Sequence, residues 1–117
     1  MENLDLKCAE VGKAIAGSSA ADVGLLKKAL GVLEEQGVYA LFLFLKIQRK
    51  KNSEEIPSSC EDFLRQTPKD KPLLGAGDLW DGLKKLSENL DDLLFARDLL
   101  RQVFIYALYH QQAKSGE

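Results

Sequence analysis

The sequence has little of the chemistry that catalytic and metal sites require. Its 117 residues include one histidine and two cysteines. His110 has neither a recognisable nucleophile signature nor a second ligand type near it in sequence, so neither a nucleophilic triad nor a zinc site is indicated. Cys8 and Cys60 lie far apart and form no Cys-x-x-Cys pair, which favours two small buried thiols in a reducing compartment. We therefore predict a protein without catalytic residues, metal or cofactor.

Long apolar runs are also missing. The longest, residues 38–45, is less than half of what a transmembrane helix needs. The acidic start, Met1-Glu2-Asn3-Leu4-Asp5, is followed by no apolar segment of the kind that a signal peptide contains. These two features predict a cytoplasmic protein that is not embedded in a membrane.

A strong charge of one sign is absent too, because 16 basic residues face 18 acidic ones and the formal net charge is −2. Proteins that bind nucleic acid alone and non-specifically are usually basic, since neutralised phosphates supply most of that affinity. The chain therefore either binds no nucleic acid or binds it through a local basic face within a larger assembly. Its length suits one domain, residues 1–117, of ordinary globular composition.

What the sequence does contain is helical periodicity. Apolar residues recur at steps of three and four through most of the chain, which predicts an all-α fold, a compact bundle of five to six helices. Asp22 and Asn89 are typical N-caps, and Gly37 is well placed to end a helix in a left-handed C-terminal turn. The predicted helices cover about 4–16, 22–36, 38–51, 60–66, a segment that begins at 78 and a segment that begins at 89.

The most hydrophobic stretch, 38–45, is ambiguous by periodicity alone, since a buried strand has the same composition. We favour a helix because the chain continues to residue 51 without a turn residue and no second strand-like segment is present. A helix that is apolar on all sides is predicted to lie at the centre of the bundle.

Basic residues divide according to whether an acid lies three or four positions away on the same helix, where it would partly neutralise them. Seven have no such acid, and Arg101 has Asp98 at three positions but stacks one turn above Arg97. Phosphate contacts require charge and reach but no special spacing. An ordinary solvated surface is the alternative. The candidate RNA-binding residues are Lys27, Lys28, Lys46, Arg49, Lys50, Lys51, Arg97 and Arg101.

Aromatic residues offer a second kind of contact. Trp80, Tyr106 and Tyr109 could stack on nucleobases, although core packing for Trp80 and interface packing for the tyrosines are the simpler interpretations. Tyr106 and Tyr109 lie three positions apart, and so share a face, in a segment that is apolar on every side. Excess apolar surface on a terminal helix often marks a protein contact, so both tyrosines are candidate interface residues.

Two segments resemble a known family. Residues 25–37 read LLKKALGVLEEQG and lead directly into VYALFLFLK, while residues 93–109 read LLFARDLLRQVFIYALY. This helix, glycine turn and apolar-aromatic helix, together with the final helix, is similar to the small helical subunit of type III-B CRISPR effector complexes, the Cmr small subunit. The proline often found before the glycine turn is replaced here by Leu30-Gly31, and the middle of the chain matches poorly.

The resemblance implies a non-catalytic subunit that lines the interior of an RNA-guided antiviral complex. Its partners would be other subunits, further copies of itself and the duplex of guide RNA and target RNA. Gly37 is carried over as the structural turn, whereas the eight basic candidates come from this sequence and not from a family motif. A cytosolic helical adaptor that binds only protein is the alternative. A small enzyme has least support, because the paired acids, such as Glu34-Glu35, diverge around a helix.

Overall fold

Six α-helices form the regular structure of residues 2–114, the part of the chain that the computed structural model describes. They are α1 (Leu4–Ala16), α2 (Val23–Gln36), α3 (Val38–Lys46), α4 (Glu55–Gln66), α5 (Leu79–Ser87) and α6 (Leu90–Lys114). No β-strand occurs within these residues, so the predicted all-α bundle is confirmed. No helix among them is long and apolar enough to cross a membrane.

Short polar side chains cap the starts of four helices, and Asn3 does so for α1 by accepting a hydrogen bond from the Leu6 amide at 3.0 Å. The Asp22 carboxylate accepts a hydrogen bond from the Leu25 amide at 2.7 Å, and the Asn89 side chain accepts one from Asp92 at 3.1 Å. Asp78 does the same for Asp81 at 3.1 Å. Each bond satisfies one of the amides that a helix leaves unpaired in its first turn. The predicted caps Asp22 and Asn89 are confirmed, as is the helix start at Asp78.

Gly37 joins α2 to α3 without an intervening loop. Its φ of 102° and ψ of −172° lie in a region that residues with a side chain rarely adopt. Its amide donates to the Leu33 and Val32 carbonyls at 3.0 and 3.2 Å, while its own carbonyl accepts from Leu41 at 3.1 Å. One residue therefore closes one helix and opens the next. Its φ is positive, as predicted, but its ψ of −172° lies outside the left-handed helical region of the predicted turn.

Replacing Gly37 with alanine should lower the free energy of unfolding by about 1–3 kcal/mol, because the new Cβ is strained at this positive φ. The matched control is Gly75→Ala, a loop position with open space around the new Cβ and no positive φ, which should change stability by less than about 0.5 kcal/mol. Urea unfolding followed by circular dichroism measures both. Equal stabilities of the two variants would contradict the proposed strain.

Two predicted helix boundaries are wrong. α3 ends at Lys46 instead of continuing to residue 51, and α4 begins at Glu55 instead of residue 60. Between them, the side-chain amide of Gln48 donates a hydrogen bond to the Phe44 carbonyl at 2.8 Å. The Ser53 hydroxyl donates to the backbone carbonyl of Gln48 at 3.2 Å. These side chains satisfy carbonyls that a longer helix would have used, and so they stabilise the early end of α3. We call residues 47–54 the α3–α4 connector.

α3 is also less central than predicted. Val38, Leu41, Phe42 and Leu45 are buried, but Tyr39 and Leu43 are 42% and 45% exposed. Similarly, the apolar side chains of Leu90 and Leu94 on α6 are exposed. Apolar composition identified these helices correctly, but it did not distinguish the faces that the bundle covers from those that it leaves in water.

The core is built where α1 packs along α6. The Cys8 thiol donates a hydrogen bond to the Leu99 carbonyl at 3.5 Å, and Gly12 lies directly against the α6 backbone. Both cysteines are buried and free, as predicted. Burial raises the pKa of Cys60 to about 12 and, with the nearby Asp5 charge, that of Cys8 to about 11. Neither thiol is therefore ionised near neutral pH, which suits a packing role.

Candidate functional site

The eight predicted RNA-binding residues lie in four places. Lys27 and Lys28 are exposed on α2, Lys46 is at the end of α3, and the pair Arg97 and Arg101 is on α6. The α3–α4 connector carries the remaining three, Arg49, Lys50 and Lys51.

α2 links these places to one another. Lys50 reaches Asp22 at the start of α2, and Arg101 reaches Glu34 near its end, about 18 Å further along the helix axis. Lys27 and Glu34 are seven residues apart and so lie on one side of α2. The connector contacts the start of α2 and the α6 pair contacts its end. We call these basic residues, together with Lys27 and Lys28, the α2 basic surface.

Lys50 is not free, in contrast to the prediction that it is unpaired. Its ammonium forms an ion pair with the Asp22 carboxylate and donates to the Ala20 carbonyl at 3.2 Å. The hydrogen bond from Lys50, together with that from the Leu25 amide, lowers the pKa of Asp22 below its usual value. Lys50 thus attaches the connector to the start of α2, and its charge is largely committed within the chain.

Arg97 and Arg101 are also accompanied by acids. The Arg101 Nε lies 3.2 Å from a Glu34 oxygen, and an Arg97 nitrogen lies 4.0 Å from Asp98. Arg97, predicted to have no acidic partner, therefore has Asp98 beside it, and the acid that contacts Arg101 is Glu34 and not the predicted Asp98. Exposed ion pairs of this kind contribute only about 0.2–1 kcal/mol, so a phosphate would displace the acids at little cost.

Four of the candidates retain their charge without an internal partner. Within residues 2–114, no carboxylate lies within 4.0 Å of the charged groups of Lys27, Lys28, Arg49 or Lys51, and all four side chains are exposed. These residues, two on α2 and two on the connector, are the available cations of the α2 basic surface.

Lys46 belongs to a different arrangement. Its ammonium lies over the Trp80 ring, 5.2 Å from the ring centroid, and the Tyr39 ring packs against Trp80 at 5.5 Å with an interplanar angle of 58°. Trp80 is half-buried at the edge of the bundle and not in its centre. The cation and the two rings form one cluster at the meeting of α3 and α5, beside a cleft of about 360 Å³.

No protein-family model, curated protein or solved structure matches the chain. The chemistry of the site must therefore be judged from its own residues. Within the described part of the chain, no group of three or more His, Cys, Asp or Glu side chains is arranged to hold a metal ion.

The two candidate interface tyrosines have different surroundings. The Tyr106 hydroxyl donates to both Asp5 carboxylate oxygens, at 2.9 and 3.0 Å, and this bond raises the pKa of Tyr106. Tyr106 thereby ties α6 to α1. Tyr109 is 64% exposed and projects from the last turns of α6. Of the two, Tyr109 is the one that is available to a partner.

The sequence analysis did not connect Tyr39 with Trp80 and Lys46. A signal for part of this cluster was present, because Tyr39 and Lys46 lie seven positions apart and therefore on one side of a helix. The approach of Trp80 depends on how α5 packs on α3, and no local pattern contains that information.

Proposed function

We propose that this chain is a non-catalytic small subunit of a type III-B CRISPR effector complex, which works in the cytoplasm and supports binding of the guide–target RNA duplex. The observation that supports this most directly is the α2–Gly37–α3 corner. The residues that carry the family resemblance form two helices joined by a single glycine with a φ of 102°, and Lys27 and Lys28 stand exposed on the first of them.

The charge distribution agrees with this role. A net charge of −2 is unfavourable for binding RNA alone, yet a subunit in an assembly needs only a few phosphate contacts of its own. Lys27, Lys28, Arg49 and Lys51 supply four exposed cations that are not engaged by carboxylates within residues 2–114. Contacts of this type hold the backbone of a duplex and are indifferent to its sequence, as required for a complex whose specificity resides in a guide.

Apolar surface on α6 supports contacts with other subunits. Leu90 is 65% exposed and Tyr109 is 64% exposed, and Leu94 and Phe95 are each more than a third exposed. Exposed apolar and aromatic side chains are enriched at the centres of protein interfaces. This surface also favours a second candidate function, a helical adaptor that binds only protein.

Charge reversal on α2 tests the proposal. Lys27→Glu combined with Lys28→Glu should weaken target-RNA binding by the assembled complex by about tenfold or more at physiological salt. The slope of log affinity against log salt should fall by about 2, because two phosphate contacts are lost. The measurement is RNA affinity of the purified complex over a range of salt concentrations, with circular dichroism to verify folding.

The matched control is Lys84→Glu combined with Lys85→Glu, which makes the same charge change on the exposed side of α5. The control should leave the salt slope unchanged. If the α2 variant also binds RNA with unchanged affinity and slope, Lys27 and Lys28 make no RNA contact. A native pulldown that recovers partner proteins without RNA, and is insensitive to salt, would favour the adaptor instead.

A further inference from the structure

A cleft of about 360 Å³ separates the end of α3 from α4 and α5. Its lining includes Trp80, Lys46 and Phe42 from α5 and α3, and Glu54, Ser58 and Glu61 from the connector and α4. Its volume is at the low end of the range for small-molecule sites and is suited to a single ring system. The lining therefore combines aromatic and aliphatic side chains with polar groups.

The charges of the cleft favour an uncharged occupant. Glu61 already accepts hydrogen bonds from Arg65 at 2.7 and 2.9 Å, which neutralises its carboxylate. The other two charged residues that line the cleft are Lys46, which is basic, and Glu54, which is acidic. A cationic side chain would meet the Lys46 ammonium, and a carboxylate would meet Glu54, so neither kind of group is matched to the cleft.

The Lys46 ammonium determines which kinds of uncharged ring are suited to the cleft. Its ammonium lies over the Trp80 ring at 5.2 Å, where an incoming ring would stack. Entry of any ring therefore displaces this ammonium and removes its cation–π contact. An occupant with an adjoining anionic group gives the displaced ammonium a new partner, whereas a phenylalanine or tryptophan side chain does not. A nucleotide supplies both the ring and the phosphate.

We propose that this cleft binds one unstacked nucleobase of RNA, an inference that rests on the proposed RNA-binding function. The base stacks on Trp80, the Lys46 ammonium moves to an adjoining phosphate, and Glu54 and Ser58 form hydrogen bonds with the edge of the base. Stacking on an aromatic side chain tolerates every base, because each base has a π-face. Stacking therefore supplies affinity with any base, while the acceptor-only carboxylate of Glu54 favours a base edge that carries an N–H donor.

The single tryptophan of the sequence makes the cleft directly observable. The indole N–H of Trp80 gives one identifiable cross-peak in a ¹H–¹⁵N spectrum of the full chain. Titration with adenosine 5′-monophosphate to millimolar concentrations should shift this cross-peak saturably. Ribose 5-phosphate, which carries the phosphate without the base, should leave it in place.

Two variants with the same charge change sharpen the test. Lys46→Gln should weaken nucleotide binding by about two- to fivefold, since an exposed charge contact is lost. Lys85→Gln removes an equivalent charge from a separate groove that α5 also lines. This variant should bind the nucleotide as tightly as the unaltered chain does. In the assembled complex, Trp80→Leu should lower RNA affinity on the order of tenfold.

Absence of a shift with the nucleotide, or an equal shift with ribose 5-phosphate, would overturn the nucleobase site. A cross-peak that responds to a partner subunit but not to nucleotide would overturn it in favour of an aromatic side chain. The α2 charge-reversal experiment reports on RNA binding through different residues. If the α2 variant loses RNA affinity while the Trp80 cross-peak does not respond to nucleotide, only the cleft is ruled out. If neither experiment responds, the RNA contacts of Lys27 and Lys28 are ruled out as well as the cleft.

Discussion

Replacing Gly12 with alanine is expected to destabilise the protein by about 2–3 kcal/mol, because α1 and α6 touch at this residue. A Cβ added to Gly12 would lie 2.7 Å from the Val103 carbonyl oxygen and 2.9 Å from the Ala107 nitrogen. It would also lie 2.8 Å from the Tyr106 Cβ. Two of these atoms belong to the α6 backbone, so a rotamer change cannot relieve the overlap and the helices must separate.

The same substitution at Gly31 is the matched control. Gly31 also lies inside a helix, but within residues 2–114 no atom beyond its neighbours and the adjoining backbone of α2 lies within 4 Å of the Cβ that it would gain. Gly31→Ala should therefore raise the free energy of unfolding by about 0.5–1 kcal/mol, through helix propensity alone. Guanidinium unfolding followed by circular dichroism compares the two variants. A gain in stability from Gly12→Ala would show that α1 and α6 do not approach so closely.

Phe104→Ala is expected to have the largest effect of any substitution considered, a loss of about 3–5 kcal/mol. The Phe104 side chain is fully buried at the middle of α6, so its removal leaves a cavity as well as a loss of apolar burial. Thermal and urea unfolding both report this loss, and a shift of the midpoint with an unchanged denaturant slope would assign it to the native state.

Phe95 provides the comparison on the same helix. Its side chain is 37% exposed, and Phe95→Ala should cost less than about 1 kcal/mol. If Phe95 contributes to a partner interface, its substitution should weaken co-purification with that partner while leaving the isolated chain stable. Similar losses of stability from the two variants would mean that the buried and exposed sides of α6 have been assigned incorrectly.

The helix starts could be predicted because their causes are local. Asp22, Asp78 and Asn89 each act on an amide three residues ahead, so one short stretch of sequence contains both partners. Gly37 could be predicted for the same reason, because its conformation is a property of a single residue. The order and class of the elements followed from such signals together with the spacing of apolar residues.

The state of the basic residues could not be predicted from spacing on one helix. Lys50 and Asp22 are 28 residues apart, and Arg101 and Glu34 are 67 apart, so both pairs form only when the bundle is assembled. Setting aside Lys46, Lys50, Arg97 and Arg101 leaves four of the eight candidates as available cations, on α2 and the connector. The Trp80 cluster was missed for the same reason, since it depends on the packing of α5 against α3.

The pairing of α1 with α6 has a consequence for synthesis of the protein. Cys8 and Leu99 are 91 residues apart, and Asp5 and Tyr106 are 101 apart, so the first helix contacts the last through bonds of very long sequence separation. During translation α1 emerges first, and its apolar stripe remains in water until α6 has left the ribosome. The packing of residues 90–114 on α1 is therefore the last step of folding. Slow translation of that segment lengthens the time during which the apolar side of α1 is exposed. A chaperone or a neighbouring nascent chain can bind it during this time.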